Sequence, residues 1–293
     1  MTARRRSLPS LAVVCLAVVP VLPVAAEGSA PDKLSATHME AVLAEALPER
    51  AVDSNQRPVV LLPTADGRLD RFAVEEVAVM QPGLAARFPQ IRTYRGIGLD
   101  DPTAVARLDL TPRGFHAMVL SSTGTVLVDP DDEQPLERSR VSLAHQVGDR
   151  SSWRCTTPPK ARNDGYQALS IQPARAVAGD QIRTYRIAIA ANGEYTDFHG
   201  GTVESGLAEV VTVLNRVVGI LERDVAIRLI LVEGNDQIIY TNPETDPYNN
   251  DDPSEMIEEN QENLDNIIGS RNYDIGHVFG TFSRGRGDGA ACV

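Results

Sequence analysis

The most constraining feature of the sequence is a long amphipathic segment, residues 202–223. Its apolar residues recur at steps of three and four positions: Val203, Leu207, Val210, Leu214, Val217 and Leu221. This spacing places them along one face of an α-helix, and such a face must be buried against another layer of secondary structure. The segment therefore predicts one long helix packed on a sheet.

Strand-like runs lie on both sides of this helix. They are bounded by turn-forming residues and are short enough to be strands. Their predicted positions are residues 185–189, 226–232, 237–240 and 273–279. A second helix is predicted to begin at Asp252, with Pro253 in its first turn and Glu255 in the capping position, and to end at Gly269.

The first half of the chain has a different pattern. A short helix is predicted over residues 34–47, where Pro48 ends it. Strand-like runs separated by turn residues then follow at residues 59–62, 71–74, 103–110, 115–120 and 125–128. The last three predict an antiparallel meander. The whole chain is thus predicted to be a mixed protein of the α+β or α/β class.

Turn-forming and basic residues without periodicity fill residues 151–179. Such composition is typical of a linker and of a site for proteolytic processing. We therefore predict a β-rich region at residues 27–150, a linker at 151–179, and a second unit at 180–293.

The N-terminus has the order of a secretory signal peptide. Arg4, Arg5 and Arg6 precede an apolar stretch that ends in Ala25 and Ala26. A transmembrane anchor is the alternative, but two prolines interrupt a span near the lower length limit for crossing a bilayer. We predict removal of residues 1–26, export to the extracellular space or periplasm, and no membrane attachment afterwards.

The charge of the chain excludes several partners. Its net charge is −12, and no basic run occurs outside the first residues. An acidic surface repels phosphate groups, so the chain is not predicted to bind nucleic acid or anionic lipid.

Several catalytic motifs are absent from the 293 residues. There is no G-x-S-x-G pentapeptide and no phosphate-binding glycine loop followed by a helix. None of the five histidines is followed by glutamate, so no H-E-x-x-H zinc helix is present, and no C-x-x-C pair occurs.

An acidic run covers residues 244–265. Asp246, Asn249, Asn250, Asp251 and Asp252 offer oxygen atoms that calcium prefers. Their spacing matches no EF-hand, so a solvated loop and helix face is the favoured interpretation, with calcium binding as the alternative.

Five strings of the second half follow one another in a specific order: residues 192–202, 215–217, 222–224, 238–242 and 273–280. In that order the chain resembles the N-terminal part of the catalytic domain of secreted bacterial reprolysin-like (adamalysin-type) zinc metallopeptidases, a branch of the metzincins. Residues 94–98 and 111–118 resemble the pro-region of the same proteins. The string at residues 273–280 is the most specific.

The resemblance implies a β-rich pro-region followed by the N-terminal subdomain of a metzincin, a mixed twisted sheet with two long helices. It also implies a zinc-dependent hydrolase acting on protein or peptide substrates. In this family the substrate pairs with an edge strand, which corresponds here to Gly289, Ala290 and Ala291. The zinc motif H-E-x-x-H-x-x-G-x-x-H would follow that strand. The chain is therefore expected to be a precursor fragment that lacks the zinc ligands and is inactive as written.

Two cysteines remain after signal removal, Cys155 and Cys292. The resemblance implies that the pro-region is an intramolecular inhibitor, in which the Cys155 thiolate could occupy the zinc in place of water. A disulfide that contains Cys155 or Cys292 is the alternative. His277 lies in a predicted apolar strand and is interpreted as structural. The alternative function is that of a secreted non-catalytic module that binds or inhibits a protease.

Overall fold

The computed structural model describes residues 34–49, 57–144, 181–281 and 290–291. We call residues 34–49 and 57–144 the N-terminal unit, and residues 181–281 and 290–291 the C-terminal unit. Each unit contains one sheet. The predicted signal peptide and linker lie outside the described residues, and the predicted division into domains stays a prediction.

The N-terminal unit is a seven-stranded antiparallel meander in which each strand pairs with the next along the chain. Its strands are β1 Val59–Pro63, β2 Leu69–Glu76, β3 Arg92–Gly98, β4 Val105–Thr111, β5 Gly114–Ser121, β6 Gly124–Pro130 and β7 Ser139–Leu143. Two helices accompany it, α1 Ala36–Leu43 and α2 Pro82–Arg87. The turns before β5 and β6 use Gly114 and Gly124 with positive φ, which glycine adopts without strain. The meander predicted over residues 103–128 is confirmed.

One face of this sheet carries the hydrophobic core of the N-terminal unit. Phe72, Tyr94 and Phe115 are fully buried there and belong to one cluster with Met39 and Leu43 of α1. Helix α1 starts at the N-cap Ser35, whose hydroxyl accepts a hydrogen bond from the His38 N–H. The helix predicted over residues 34–47 is confirmed over Ala36–Leu43, so it ends before Pro48, and its apolar side covers this sheet face.

The C-terminal unit is built on a mixed four-stranded sheet with the order β11-β10-β8-β9. Its strands are β8 Arg183–Ala191, β9 Ile227–Leu231, β10 Ile275–Phe279 and β11 Ala290–Ala291. Its helices are α3 Gly193–Phe198, α4 Val203–Val225 and α5 Pro253–Ile267. Strands β9, β8 and β10 are parallel, whereas β11 is antiparallel to β10. The predicted mixed sheet with two long helices is confirmed.

Alternate residues of β8 pack on opposite helices. Ile187 and Ile189 share a buried cluster with Leu207 and Leu214 of α4. Ala188 and Ala190 belong to a second cluster, which contains Met256 and Leu264 of α5. Successive side chains of β8 therefore point to opposite faces of the sheet, and each face is covered by one helix, α4 or α5.

Helix α4 lies between the two sheets. Its start is fixed by a capping box in which Thr202 and Ser205 exchange hydrogen bonds, and it ends before Ala226, which has the left-handed φ of 55°. The side of α4 that faces away from β8 is also buried, at Thr212 and Asn215, and it contacts β4. Both sides of one helix thus hold the two sheets together.

The strand predicted at residues 237–240 is wrong. The chain forms a 3-10 helix there, Asn235–Ile238, and then a single bridge from Ile239 to Ala191. The side chain of Asn235 explains the difference, because it accepts from the Ile189 N–H (2.8 Å) and donates to the Ile189 carbonyl (2.9 Å). One amide side chain thereby takes the hydrogen bonds that a strand would have made. Four further elements were not predicted from the sequence pattern: β3, β7, α2 and α3.

His277 lies on β10, opposite Ile189 of β8. Its ring packs edge-on against Phe279, and burial lowers the pKa of its imidazole.

In the described part of the chain, no helix is both long and apolar enough to cross a bilayer.

Gly219 tests the contact between α4 and the N-terminal sheet. A Cβ at this position would lie 2.6 Å from Cγ of Arg107, in the buried stem of that side chain. Alanine normally stabilises a helix relative to glycine by about 1 kcal/mol. We expect Gly219→Ala instead to lower the free energy of unfolding by roughly 1–3 kcal/mol through overpacking, as measured by urea denaturation.

Val217→Ala is the control, since Val217, which the sequence pattern placed on the buried face of α4, is 39% exposed in the structure. It should change the free energy of unfolding by no more than about 0.5 kcal/mol. A stabilised Gly219→Ala variant would contradict the close packing of α4 on β4.

Candidate functional site

The edge of the C-terminal sheet is the first candidate site. Strand β11 lies at the end of the strand order, where Ala290 pairs with Phe279 and Ala291 pairs with Val278. The structure thus places two of the three predicted substrate-binding residues in an edge strand, while Gly289 lies outside the described residues. An edge strand has backbone groups on its outer side to which an extended peptide can pair. Their role in substrate binding stays a prediction.

Asn192 holds the end of β10, from which the chain leads to β11. Its backbone N–H donates to the Phe279 carbonyl (3.0 Å). Its side chain accepts from the Tyr195 N–H (2.9 Å), which caps α3, and donates to Oδ1 of Asn250 (2.7 Å). Asn192 is fully buried. One residue, which directly follows β8, therefore contacts β10 through its backbone and α3 and the loop before α5 through its side chain.

The acidic loop before α5 makes structural contacts at the same place. Asp246 accepts hydrogen bonds from the Gly193 N–H (2.6 Å) and the Tyr248 N–H (2.9 Å). The Asn250 side chain also donates to the carbonyl of Thr281. These groups, which the sequence offered only as the alternative calcium ligands, contact α3 and the residue that follows β10 by two positions.

The described residues do not provide a metal centre. Among them, no group of three or more His, Cys, Asp or Glu side chains is placed to hold a metal ion. Zinc in a peptidase site needs about three protein ligands and an open position, so the described residues do not fit a catalytic zinc ion. The calcium alternative gains no ligand set from them either. Cys155, the proposed switch thiolate, and Cys292 lie outside the described residues.

Glu194 is an unusual carboxyl group next to this loop. Burial raises its pKa, and the negative charges of Asp246 and Asp251 add to this, against a backbone hydrogen bond that lowers it. Its Oε2 atom is buried and has no hydrogen-bond partner among the described residues. Glu194 therefore holds a proton at a higher pH than an exposed glutamate does.

An aromatic group packs beneath the end of β10. The Tyr195 ring lies 5.3 Å from the Phe279 ring and 4.4 Å from the His199 ring, measured between centroids. Burial lowers the pKa of His199, and the positive charge of Arg113 lowers it further. The negative charge of Glu209 opposes this shift, since its Oε2 atom lies 3.5 Å from Nδ1 of His199. Arg113 belongs to the N-terminal unit and donates to the His199 carbonyl.

The second candidate site is the polar contact between β4 and α4. Asp109 is 1% exposed, and its Oδ2 atom accepts from the Thr212 hydroxyl (2.7 Å) and lies 2.9 Å from Nδ1 of His116. Asn215 donates to the carbonyl of Leu108 (2.9 Å). A buried carboxylate needs such partners, because burial without them would cost several kcal/mol, on the order of the penalty for an unpaired ion.

A cluster of ion pairs continues this contact toward the end of α4. Glu222 pairs with Arg107 of β4 and with Arg228 of β9. Arg228 also donates to both carboxylate oxygens of Glu49 (2.6 and 2.8 Å), and this hydrogen bonding lowers the pKa of Glu49. The side chains of Arg107 and Glu222 are 3% and 8% exposed. We call Glu49, Arg107, Glu222 and Arg228 the interface charge cluster.

Backbone pairing also joins the two units. The Leu231 N–H donates to the Val79 carbonyl (2.8 Å), and the Gln81 N–H donates to the Leu231 carbonyl (2.9 Å). Met80 thereby forms a parallel bridge with Leu231 of β9. Four buried residues around it belong to the same core as α4 and β9: Val79, Met80, Leu84 and Ile91. The N-terminal unit therefore adds a short paired segment beside β9.

Neither the contacts of Asn192 nor those between β4 and α4 were predicted from the sequence. Asn192 had a usable signal, since asparagine is one of the preferred N-cap residues of a helix. Arg107 and Asp109 had a misleading one, because charges at alternate positions of a strand normally indicate a solvent-facing side.

Comparison with known proteins gives a family match that covers the C-terminal unit. Residues 181–292 match the family model of reprolysin-like metallo-peptidases, family M12B. This match supports a metzincin-like peptidase. No curated protein matches the chain. A solved structure, metalloproteinase-II from Bacteroides fragilis, is similar over 84% of this chain and 69% of its own, with a TM-score of 0.43 and 9% identity. That identity and that TM-score are too low to support inferences about function.

The Asp109 carboxyl makes the contact between the units dependent on pH. Burial opposes its ionisation, but His116, Arg216 and Thr212 more than offset this, and the pKa of Asp109 is lowered from 3.8. A lowered pKa stabilises the folded state above pH 3.8, and this stabilisation is lost as the pH falls through the folded-state pKa. We expect Asp109→Asn to cost about 3 kcal/mol at neutral pH.

Urea denaturation at a series of pH values checks this expectation. The difference between the wild type and Asp109→Asn should shrink below pH 3.8. Asp224→Asn is the control, because Asp224 is an exposed carboxylate whose partner is the adjacent Arg223, and it should cost much less. A difference that stays constant with pH would contradict the assigned role of the Asp109 charge.

Proposed function

We propose that the chain belongs to the secreted precursor of a zinc-dependent metalloendopeptidase that hydrolyses peptide bonds in proteins or peptides. Residues 1–26 are its signal peptide, residues 27–150 its pro-region, and residues 180–293 the N-terminal part of its peptidase domain. The observation that carries this proposal is the match of residues 181–292 to the reprolysin-like family model. The antiparallel edge strand β11 supports it.

In this proposal the described residues align the substrate. An extended peptide pairs with the outer side of β11 at Ala290 and Ala291, so the main chain of the substrate supplies the affinity. Asn192 and Asn250 keep β10 in place and thereby fix the direction of the edge. Precise placement of the peptide bond lowers the entropic part of the reaction barrier.

The hydrolytic step itself is not assigned to these residues. The printed sequence has no H-E-x-x-H motif, and the described residues do not fit a zinc site. A bound zinc ion in such enzymes polarises the carbonyl and activates water. We propose that its ligands lie outside the 293 residues and that these residues alone do not hydrolyse peptides.

The alternative is a secreted module that binds or inhibits a protease without cleaving substrate. The missing zinc motif favours it. The two proposals differ in metal content and in peptide hydrolysis, so one set of measurements on the natural secreted product separates them.

We expect the natural secreted product to have an intact mass larger than that of these residues, to contain about one zinc ion per chain, and to hydrolyse an unfolded protein substrate. The zinc chelator 1,10-phenanthroline should abolish hydrolysis, and added zinc should restore it. An isomer of the chelator that does not bind metal is the control. A product that ends at Val293, contains no zinc and does not hydrolyse substrate would overturn the peptidase proposal and leave the binding module.

Cys155 tests how latency is maintained. If its thiolate occupies the zinc, Cys155→Ala should make the precursor active before processing, whereas Cys292→Ala should leave it latent. The measurement is peptide hydrolysis by the unprocessed natural precursor. If the two cysteines form a disulfide, both variants should lose stability by a similar amount and latency should persist. Unchanged latency of Cys155→Ala would exclude the thiolate switch.

A further inference from the structure

The two units meet over a surface with the properties of a protein–protein interface. An apolar centre is formed by Met80, Leu84 and Ile91 of the N-terminal unit, which share a buried cluster with residues of α4 and β9. Buried polar contacts join the same two units, namely the interface charge cluster and the contacts of Asp109. Stable interfaces combine such an apolar centre with hydrogen bonds.

Each unit also has a core of its own. The cluster under α1 contains only residues between Leu34 and Val128, with Val141 and Leu143 packed against it. The cluster between α5 and β8 contains only residues of the C-terminal unit. The shared cluster around Met80 is therefore a third core beside these two.

The position of the interface within the C-terminal sheet is specific. The segment around Met80 pairs with Leu231 of β9, at one edge of the sheet. Strand β11 forms the opposite edge in the order β11-β10-β8-β9. The Met80 segment thus docks at the edge of the sheet opposite the proposed substrate strand, while Arg113 of the N-terminal unit contacts the His199 carbonyl in the aromatic group that packs on Phe279 of β10.

From these contacts we propose that the N-terminal unit stays bound to the C-terminal unit after the chain between them is cut. The docking surface consists of the polar side of α4 and the free edge of β9. This inference rests on the proposed function in that it takes the N-terminal unit to be a pro-region that processing separates from the peptidase domain. It implies that one cut in the linker does not release the pro-region, and that release needs a second event, such as degradation of that unit.

The binding follows from where the contacts are made. The Leu231 N–H, the Asp109 carboxylate and the Arg107–Glu222 pair have their partners in the other unit. Separation would leave these groups without partners and would expose the apolar centre to water. None of the contacts requires a covalent connection between residues 144 and 181.

The test uses the full chain with a recognition site for a sequence-specific protease inserted between residues 151 and 179. The folded protein is cut completely, as confirmed on a denaturing gel, and is then examined by size-exclusion chromatography and native mass spectrometry at neutral pH. We expect both pieces to elute together as a one-to-one complex. Pieces that elute separately would overturn the proposal.

A matched pair of variants locates the binding surface. Glu222→Gln removes the shared partner of Arg107 and Arg228, so the N-terminal piece should leave an immobilised C-terminal piece at least about tenfold faster. Asp224→Asn changes a carboxylate two positions further along α4, which pairs with the adjacent Arg223, and it should leave the dissociation rate unchanged. Equal rates for the two variants would overturn the assignment of this surface.

Hydrogen exchange gives a readout that does not depend on any variant. The Leu231 amide, which donates to Val79, should keep its protection in the cut wild-type complex. Loss of this protection after the cut would overturn the proposed pairing with β9. The two proposals can fail separately. Docking is measured on the cut chain and needs no peptide hydrolysis, whereas peptidase activity is measured on the natural product, which has no inserted site.

Discussion

The structure depends on the burial of α4 from two sides. One side of the helix is apolar and packs on β8 through residues such as Leu207 and Leu214. The other side is polar and is matched by β4, where Thr212 binds Asp109 and Asn215 binds the Leu108 carbonyl. The first contact is driven by the hydrophobic effect and tolerates small shifts. The second contact requires each polar group to meet its partner, so it fixes how the N-terminal sheet is placed on the helix.

The elements that could be predicted from the sequence are those whose pattern reflects a single environment. Helix α4, the meander β4–β6 and helix α5 each show one clear period, and each was predicted within a few residues. The position of Ala290 and Ala291 in a strand was expected only from the family resemblance, since two residues carry no periodicity. Gly289 and Cys155 lie outside the described residues, so their predicted roles rest on sequence alone.

The remaining features depend on contacts between distant residues. Arg107 and Asp109 alternate with apolar residues in β4 and therefore resemble a solvent-facing row, yet α4 buries both. No local pattern contains the information that Glu222, more than a hundred positions later, is the partner of Arg107. Asn235 gives a similar lesson, because its side chain replaces a strand by binding both backbone groups of Ile189. Polar residues that act through long-range partners are thus the main limit on prediction for this chain.

The bridge between Met80 and Leu231 has a consequence for the solubility of the C-terminal unit. A parallel strand at the edge of a sheet offers unpaired backbone groups, and identical chains can join through such edges and aggregate. The Met80 segment pairs with this edge at Leu231, the last residue of β9. The N-terminal unit therefore covers part of an edge at which a second copy of the C-terminal unit would otherwise pair.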